Sequence, residues 1–245
     1  MSDYSKWEFM LDGDTQEFRQ RSEEPGTAYF NIYGGVDHWN DCPNDDFRMT
    51  TLYCEGETDS KVVWQIGHEL LSLFNGASVL LNKGYRKASI YKLLHEGREV
   101  NYVPPFGSTA LLGPAPFSRH RIQKELDRCK GTSVKFPLIH LATENRDVYF
   151  ILKYLDMDPG WVTYYKLLEA VENFAKTANI NLNVDQVKRS AFTNTSNNFS
   201  LSGFDSRHGF KEAIKKNNTA SMSLDEGYKF ITDLTKSYLN KAYFS

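Results

Sequence analysis

Apolar and polar residues alternate in three runs near the start of the chain, "YSKWEFML", "TAYFNIYGG" and "FRMTTLYCEG". A period of two is that of a half-buried strand, so each run predicts an element of an antiparallel sheet. Between the last two lies "GGVDHWNDCPNDD", whose Gly, Asn, Asp and Pro predict a loop. The period then changes. From Thr58 or Asp59, both suitable N-caps, apolar residues fall at Val63, Ile66, Leu70, Leu73, Phe74 and Ala77. This pattern predicts an amphipathic helix over about residues 59–75, closed near Asn75-Gly76, where glycine accepts left-handed geometry. "SVLLN", "KASIYKLL" and "REVNYVP" predict further strands until Pro104 and Pro105 break the pattern, and "FGSTALLGPAPFSRH" has no period.

Beyond about residue 140 the spacing is helical. Val148, Ile151, Leu152 and Leu155 share one face before Pro159-Gly160. Trp161, Tyr164, Tyr165, Leu168, Val171, Phe174, Ala175 and Ala178 make a second stripe, of the kind that forms core. Ser223 and Glu226 form a capping box for a last helix whose buried face runs through Leu224, Tyr228, Ile231, Leu234, Tyr238 and Ala242. Residues 190–221, rich in Asn, Ser and Thr, predict a loop or a broken element. The fold class expected is therefore α+β, with a strand-rich part over residues 1–140 that holds the helix at about 59–75. A helical part follows over residues 141–245. No internal repeat is present.

Composition narrows the classes of function. In 245 residues, 40% are hydrophobic and 24% charged, enough for a buried core. No run of about 18 apolar residues could span a bilayer, and the first residues lack the apolar core of a signal peptide. Cys42, Cys54 and Cys129 are odd in number and form no CxxC pair, which speaks against a disulfide framework and for a cytoplasmic protein without a membrane partner. The net charge of −2 conceals an asymmetry, with four Lys/Arg against fourteen Asp/Glu over residues 1–60 and ten against four over residues 83–130. The acidic segment can simply fold against the basic one, or the basic one can meet a polyanion.

The usual signatures for nucleotides, serine hydrolases and zinc proteases are missing, and no cofactor is expected. His38, Cys42 and Cys54 could supply three corners of a zinc site with Asp41, Asp45 or Asp46 as the fourth ligand, but the spacing matches no zinc finger and no metal is expected. Asp45 and Asp46 could pair for metal-dependent hydrolysis, although such neighbours commonly belong to turns. Two doublets carry more. Arg119-His120 opens a basic run with Arg121, Lys124 and Arg128; on a helix starting at Ser118, the last three share a face that could bind phosphates, or one simply solvated beside Glu125 and Asp127. Arg207-His208 follows "SLSGFDS", where Gly203 permits a tight turn and Asp205 or Ser206 could cap a helix into "RHGFKEAIKK". Histidine as general acid or base beside an arginine on the phosphate is the minimum for cutting RNA without metal. The same pair could instead be a structural clasp.

The runs "GWVTYYKLLEAVENFAK", "AFTNTSNNFSLSGFDSRHGF" and "MSLDEGYKFITDLTKSYL" resemble the C-terminal half of a group of uncharacterised bacterial proteins. These share a Trp-led helix, a Gly-x-x-x-Arg-His turn and a capped last helix, and "LLSLFNGASVLL" resembles their N-terminal region. More distantly, a helical domain with a polar Arg/His element is similar to HEPN domains. That resemblance implies a metal-independent ribonuclease of a defence type, built from a homodimer around an R-x4-6-H motif. Here Arg207 and His208 are adjacent, and neighbours on a helix diverge by about 100°. Two functions are thus expected: a HEPN-like factor that binds or cuts RNA through Arg207, His208 and the basic run, or a non-enzymatic module for a protein partner or larger assembly.

Overall fold

A computed structural model describes residues 6–24, 26–37, 40, 42–100, 116–130, 134–210 and 218–244. The fold is α+β. The chain divides into two compact units, Met1–Arg146 and Asp147–Ser245.

The first unit is built on one antiparallel sheet with strand order β2-β3-β1-β4-β5. Its strands are β1 (Trp7–Asp12), β2 (Asn31–Asp37), β3 (Cys42–Thr50), β4 (Ser89–His95) and β5 (Arg98–Val100). In the centre, β1 pairs Phe9 with Met49 of β3 and with Leu93 of β4, three side chains that are fully buried. The supposed loop between the second and third runs is largely strand. Gly34 and Gly35 have φ of 103° and 80° and sit at a bulge, where the ladder slips and β2 bends toward β3. A Cβ on Gly34 would lie 2.1 Å from the Asp46 carbonyl oxygen, so the glycines serve strand pairing and not a turn.

Helix α1 (Thr15–Glu23), which the apolar pattern does not show, follows β1. Phe18 is its single buried side chain, and Asp14 caps it by accepting from the Glu17 N–H at 3.0 Å. Helix α2 (Ser60–Leu81) starts at Asp59, the second of the two caps offered by the sequence, and runs past Asn75-Gly76, absorbing "SVLL". The reason is a buried bond set: Asn75 Nδ2 donates to the Ala88 carbonyl at 2.9 Å, and its Oδ1 accepts from the Ala88 N–H at 2.9 Å and the Tyr85 hydroxyl at 3.2 Å. These bonds spend on tertiary contact the asparagine that would otherwise end the helix. Gly67 is a place of close approach, since a Cβ there would come within 2.3 Å of the Phe9 ring. Helices α3 (Arg119–Cys129) and α4 (Lys135–Glu144) complete this unit.

The second unit holds α5 (Arg146–Asp156), α6 (Trp161–Thr177), α7 (Gln186–Asn197), α8 (Phe199–Ser202) and α9 (Leu224–Leu239), the first of which begins one residue before it. Val148, Ile151, Leu152 and Leu155 are buried, as the spacing predicts. The capping box at Ser223 and Glu226 is present, although Leu224 is exposed. The polar stretch from 190 is helical through α7 and α8, where the notionally helix-breaking side chains bond back along the helix: Thr195 to the Ala191 carbonyl and Thr193 to that of Arg189, both at 2.9 Å. Among the described residues no helix is long and apolar enough to cross a membrane.

Candidate functional site

The predicted basic run occupies α3, which begins at the expected Ser118 cap. Its five candidates divide by what they touch. Arg121 Nε lies 3.1 Å from Glu125, a buried carboxylate whose other oxygen accepts from the Ala28 N–H at 2.8 Å. Arg128 donates to the Gly26 carbonyl at 2.7 Å. Arg128 and Glu125 thus join α3 to the segment before β2, and Arg121 is spent on Glu125 within α3. Arg119, His120 and Lys124 are exposed, so the face available to an anion is shallower than the sequence alone indicates. Asp45 and Asp46 stand opposite Arg19 and Arg48 respectively, each at 3.2 Å. Cys54 is buried and Cys42 exposed, while His38 lies outside the described residues. Among the described residues no His/Cys/Asp/Glu group is arranged to hold a metal.

The second doublet sits on a compact turn at the end of α8. Gly203, at φ +60°, reverses the chain into a short 3-10 turn, Gly203–Asp205. Asp205 then accepts from the Trp161 N–H at 2.5 Å, capping α6 rather than a helix of its own. The approach is close enough that a Cβ on Gly160 would lie 2.7 Å from the Asp205 carboxylate. Ser202 donates to the Thr195 carbonyl at 2.9 Å, and the Arg207 N–H to that of Ser196 at 2.7 Å. The Ser206 hydroxyl donates to the His208 carbonyl. The turn is therefore tied to both α6 and α7. The helix expected in "RHGFKEAIKK" falls mostly on residues 211–217, which lie outside the described residues.

Arg207 lays its guanidinium over the Tyr165 ring, 4.2 Å from the centroid, and reaches Glu169 at 3.5 Å. Tyr165 and Glu169 are one turn apart on α6, so the two together hold the Arg207 guanidinium in place. The His208 ring is exposed and makes no bond to the described residues. Beneath the turn, burial, with Tyr228, Asp225 and Asp205 adding to it, pushes the Tyr164 hydroxyl up to about 12. It remains neutral across the physiological range.

Three phenylalanines surround the doublet. Phe204 is 99% exposed and Phe210 74%, and both meet Phe199 edge-on, at 5.4 and 5.3 Å between ring centroids. Sequence periodicity missed them because they lie in a polar Asn/Ser/Gly stretch with no helical or strand period. Their signal was that isolation: large aromatic residues with no pattern to bury them.

Comparison with protein-family models, with curated proteins and with solved structures finds no match.

The capping role gives a direct test. Asp205→Ala is expected to lower the stability of the helical unit by about 1 kcal/mol, the usual cost of losing an N-cap. A thermal unfolding midpoint equal to that of the wild type would show that Asp205 does not fasten the turn to α6.

Proposed function

We propose that the protein is a HEPN-like RNA-binding factor of the cytoplasm, and that residues 199–210 form its recognition surface. The observation that carries this reading is the joining of exposed aromatic faces to a preorganised guanidinium. Phe204 and Phe210 offer rings on which bases can stack; Arg207, held over Tyr165, and the exposed His208 offer donors to phosphate. Single-stranded RNA presents both partners at every nucleotide. The sequence from Arg207 to Lys216 carries four Lys/Arg against one acidic residue, Glu212. Lysine is depleted at protein interfaces, so this charge favours a polyanion over a protein partner. Arg119, His120 and Lys124 add a second exposed basic group.

Binding of a labelled single-stranded oligoribonucleotide at low salt tests this. Affinity is expected to fall steeply as salt rises. Phe204→Ala is expected to weaken binding by about 5- to 100-fold, the value of one stacked base, without changing thermal stability. Heparin, which has charge without bases, should not lose affinity in this variant. If the wild type binds no RNA at about 50 mM salt, where phosphate contacts are strong, the reading fails. Capture of a protein through Phe204 would then assign the surface to the alternative, an interaction module.

Metal-independent cleavage, the activity implied by the HEPN resemblance, would place His208 as the proton-transfer group and Arg207 on the phosphate. The same samples, run with chelator, report it. Loss of cleavage in the double variant Arg207→Ala, His208→Ala, at an unchanged melting temperature, would assign that chemistry to the doublet.

A further inference from the structure

The first unit contains a cavity of about 250 Å³ that the RNA-binding reading does not use. Phe30, Ile32, Phe74, Phe136 and Ile139 give it an apolar floor, and they come from β2, the residue before it, α2 and α4. All five are buried, so the floor is set by the packing of these elements. Aromatic rings dominate it. Phe30 and Phe74 lie 5.5 Å apart between ring centroids, tilted by 52°, and Phe136 stands 5.3 Å from Tyr29.

Arg21, Glu24, Arg128 and Lys135 line the cavity as well, but their charges are already committed. Lys135 Nζ lies 2.5 Å from Glu17, and Arg21 pairs with Glu17 at 3.0 Å and with Glu24 at 2.5 Å. Two cations thus meet two carboxylates in one continuous chain. Arg128 is engaged too: it donates to the Gly26 carbonyl at 2.7 Å and makes a further contact. The Thr27 hydroxyl, also on the wall, accepts from the Phe30 N–H at 3.1 Å and lies 3.2 Å from the Phe30 carbonyl, to which it donates. Burial pulls the Lys135 pKa below the ordinary lysine value, as a poorly hydrated wall would, and the bond to Glu17 opposes that shift. A charged ligand would have to break one of these pairs or enter without a partner, and either cost offsets much of what the apolar floor gives.

We infer that this cavity is a binding site for a small uncharged aromatic molecule, seated on Phe30, Phe74 and Phe136 between Ile32 and Ile139. Size sets the upper bound: an apolar cavity of about 150 Å³ stays dry and takes benzene, so this one takes about ten non-hydrogen atoms. The paired wall sets the charge at zero. The three phenylalanines set the shape, because a ring placed among them gains edge-to-face contacts that an aliphatic chain of equal area lacks.

Indole, an uncharged ring system of that size, is the probe, with binding to the full chain followed by calorimetry and thermal shift. It is expected to bind one to one with a Kd of about 1 mM or tighter, the range for ligands this small. The unfolding midpoint should rise with its concentration. Indole-3-carboxylate and 3-(aminomethyl)indole keep the ring and add a charge of either sign; each should bind more weakly by about tenfold or more. Octanol, aliphatic and of similar size, should bind about 2- to 10-fold more weakly than indole. Ile32→Trp, which fills the floor, should abolish indole binding. Absence of saturable indole binding at about ten times that Kd overturns the proposal. So do equal affinities for indole and its charged analogues, octanol bound as tightly as indole, or indole binding retained in a folded Ile32→Trp protein. If that variant fails to fold, the comparison of the four compounds on the wild type decides alone.

Discussion

Replacing Asn75 by alanine is expected to destabilise the first unit by about 3 kcal/mol, because buried polar groups cost that order of energy when left unpaired. The Asn75 side chain holds the Ala88 N–H, the Ala88 carbonyl and the Tyr85 hydroxyl, all in buried residues. Alanine would strand all three and leave a small void. With the usual dependence on denaturant, the urea midpoint read by tryptophan fluorescence should fall by about 1 M or more. Trp7 and Trp64 lie in this unit, so they report on it. Asn75→Asp should be less harmful at the Ala88 N–H and Tyr85, which need only an acceptor, and harmful at the Ala88 carbonyl. A loss below about 1 kcal/mol for alanine would mean that water re-satisfies the site.

The second large effect is expected in the helical unit. Phe192 is fully buried, with its ring 5.5 Å from that of Trp161 and 5.3 Å from that of Phe230. Phe192→Ala is expected to cost about 3–5 kcal/mol through lost burial and the cavity left behind. The consequence reaches the proposed RNA surface, since Thr195 and Ser196 on the same helix accept the bonds from Ser202 and Arg207. RNA affinity should therefore fall together with stability in Phe192→Ala, but alone in Phe204→Ala. Normal RNA affinity in a strongly destabilised Phe192→Ala protein would show that the turn keeps its shape without α7.

Local rules made some parts of this molecule legible and concealed others. The Ser118 and Ser223 caps are read correctly from the sequence, and the α2 cap to within Thr58 or Asp59, because a cap is a contact within about four residues. Helix α1 was missed because it buries only Phe18 and so has no apolar stripe, although its Asp14 cap follows the same rule as the others. The candidate doublets were found by chemistry, but their surroundings were not. Nothing near Arg207 in sequence indicates Tyr165 and Glu169, some forty residues earlier, as its platform. Likewise Glu125 reads as a local partner of Arg121, yet its deeper role is to hold the Ala28 N–H.

By itself the sequence determined the α+β class, runs that overlap each of β1 to β5, the apolar faces of α2 and α5 and most of that of α6, and the presence of two Arg-His doublets. Each follows from periodicity or short-range bonding, which act within a turn or a pleat. Only the tertiary structure decided that α2 continues through Asn75-Gly76, that the glycines of β2 make a bulge, and that Asp205 caps another helix. It also gathered Phe199, Phe204 and Phe210 around the second doublet and closed a cavity between elements more than a hundred residues apart, Arg21 and Lys135 among them. The physical reason is the same in each case: a residue's intrinsic preference is worth about 1 kcal/mol or less, and a set of buried long-range bonds exceeds it.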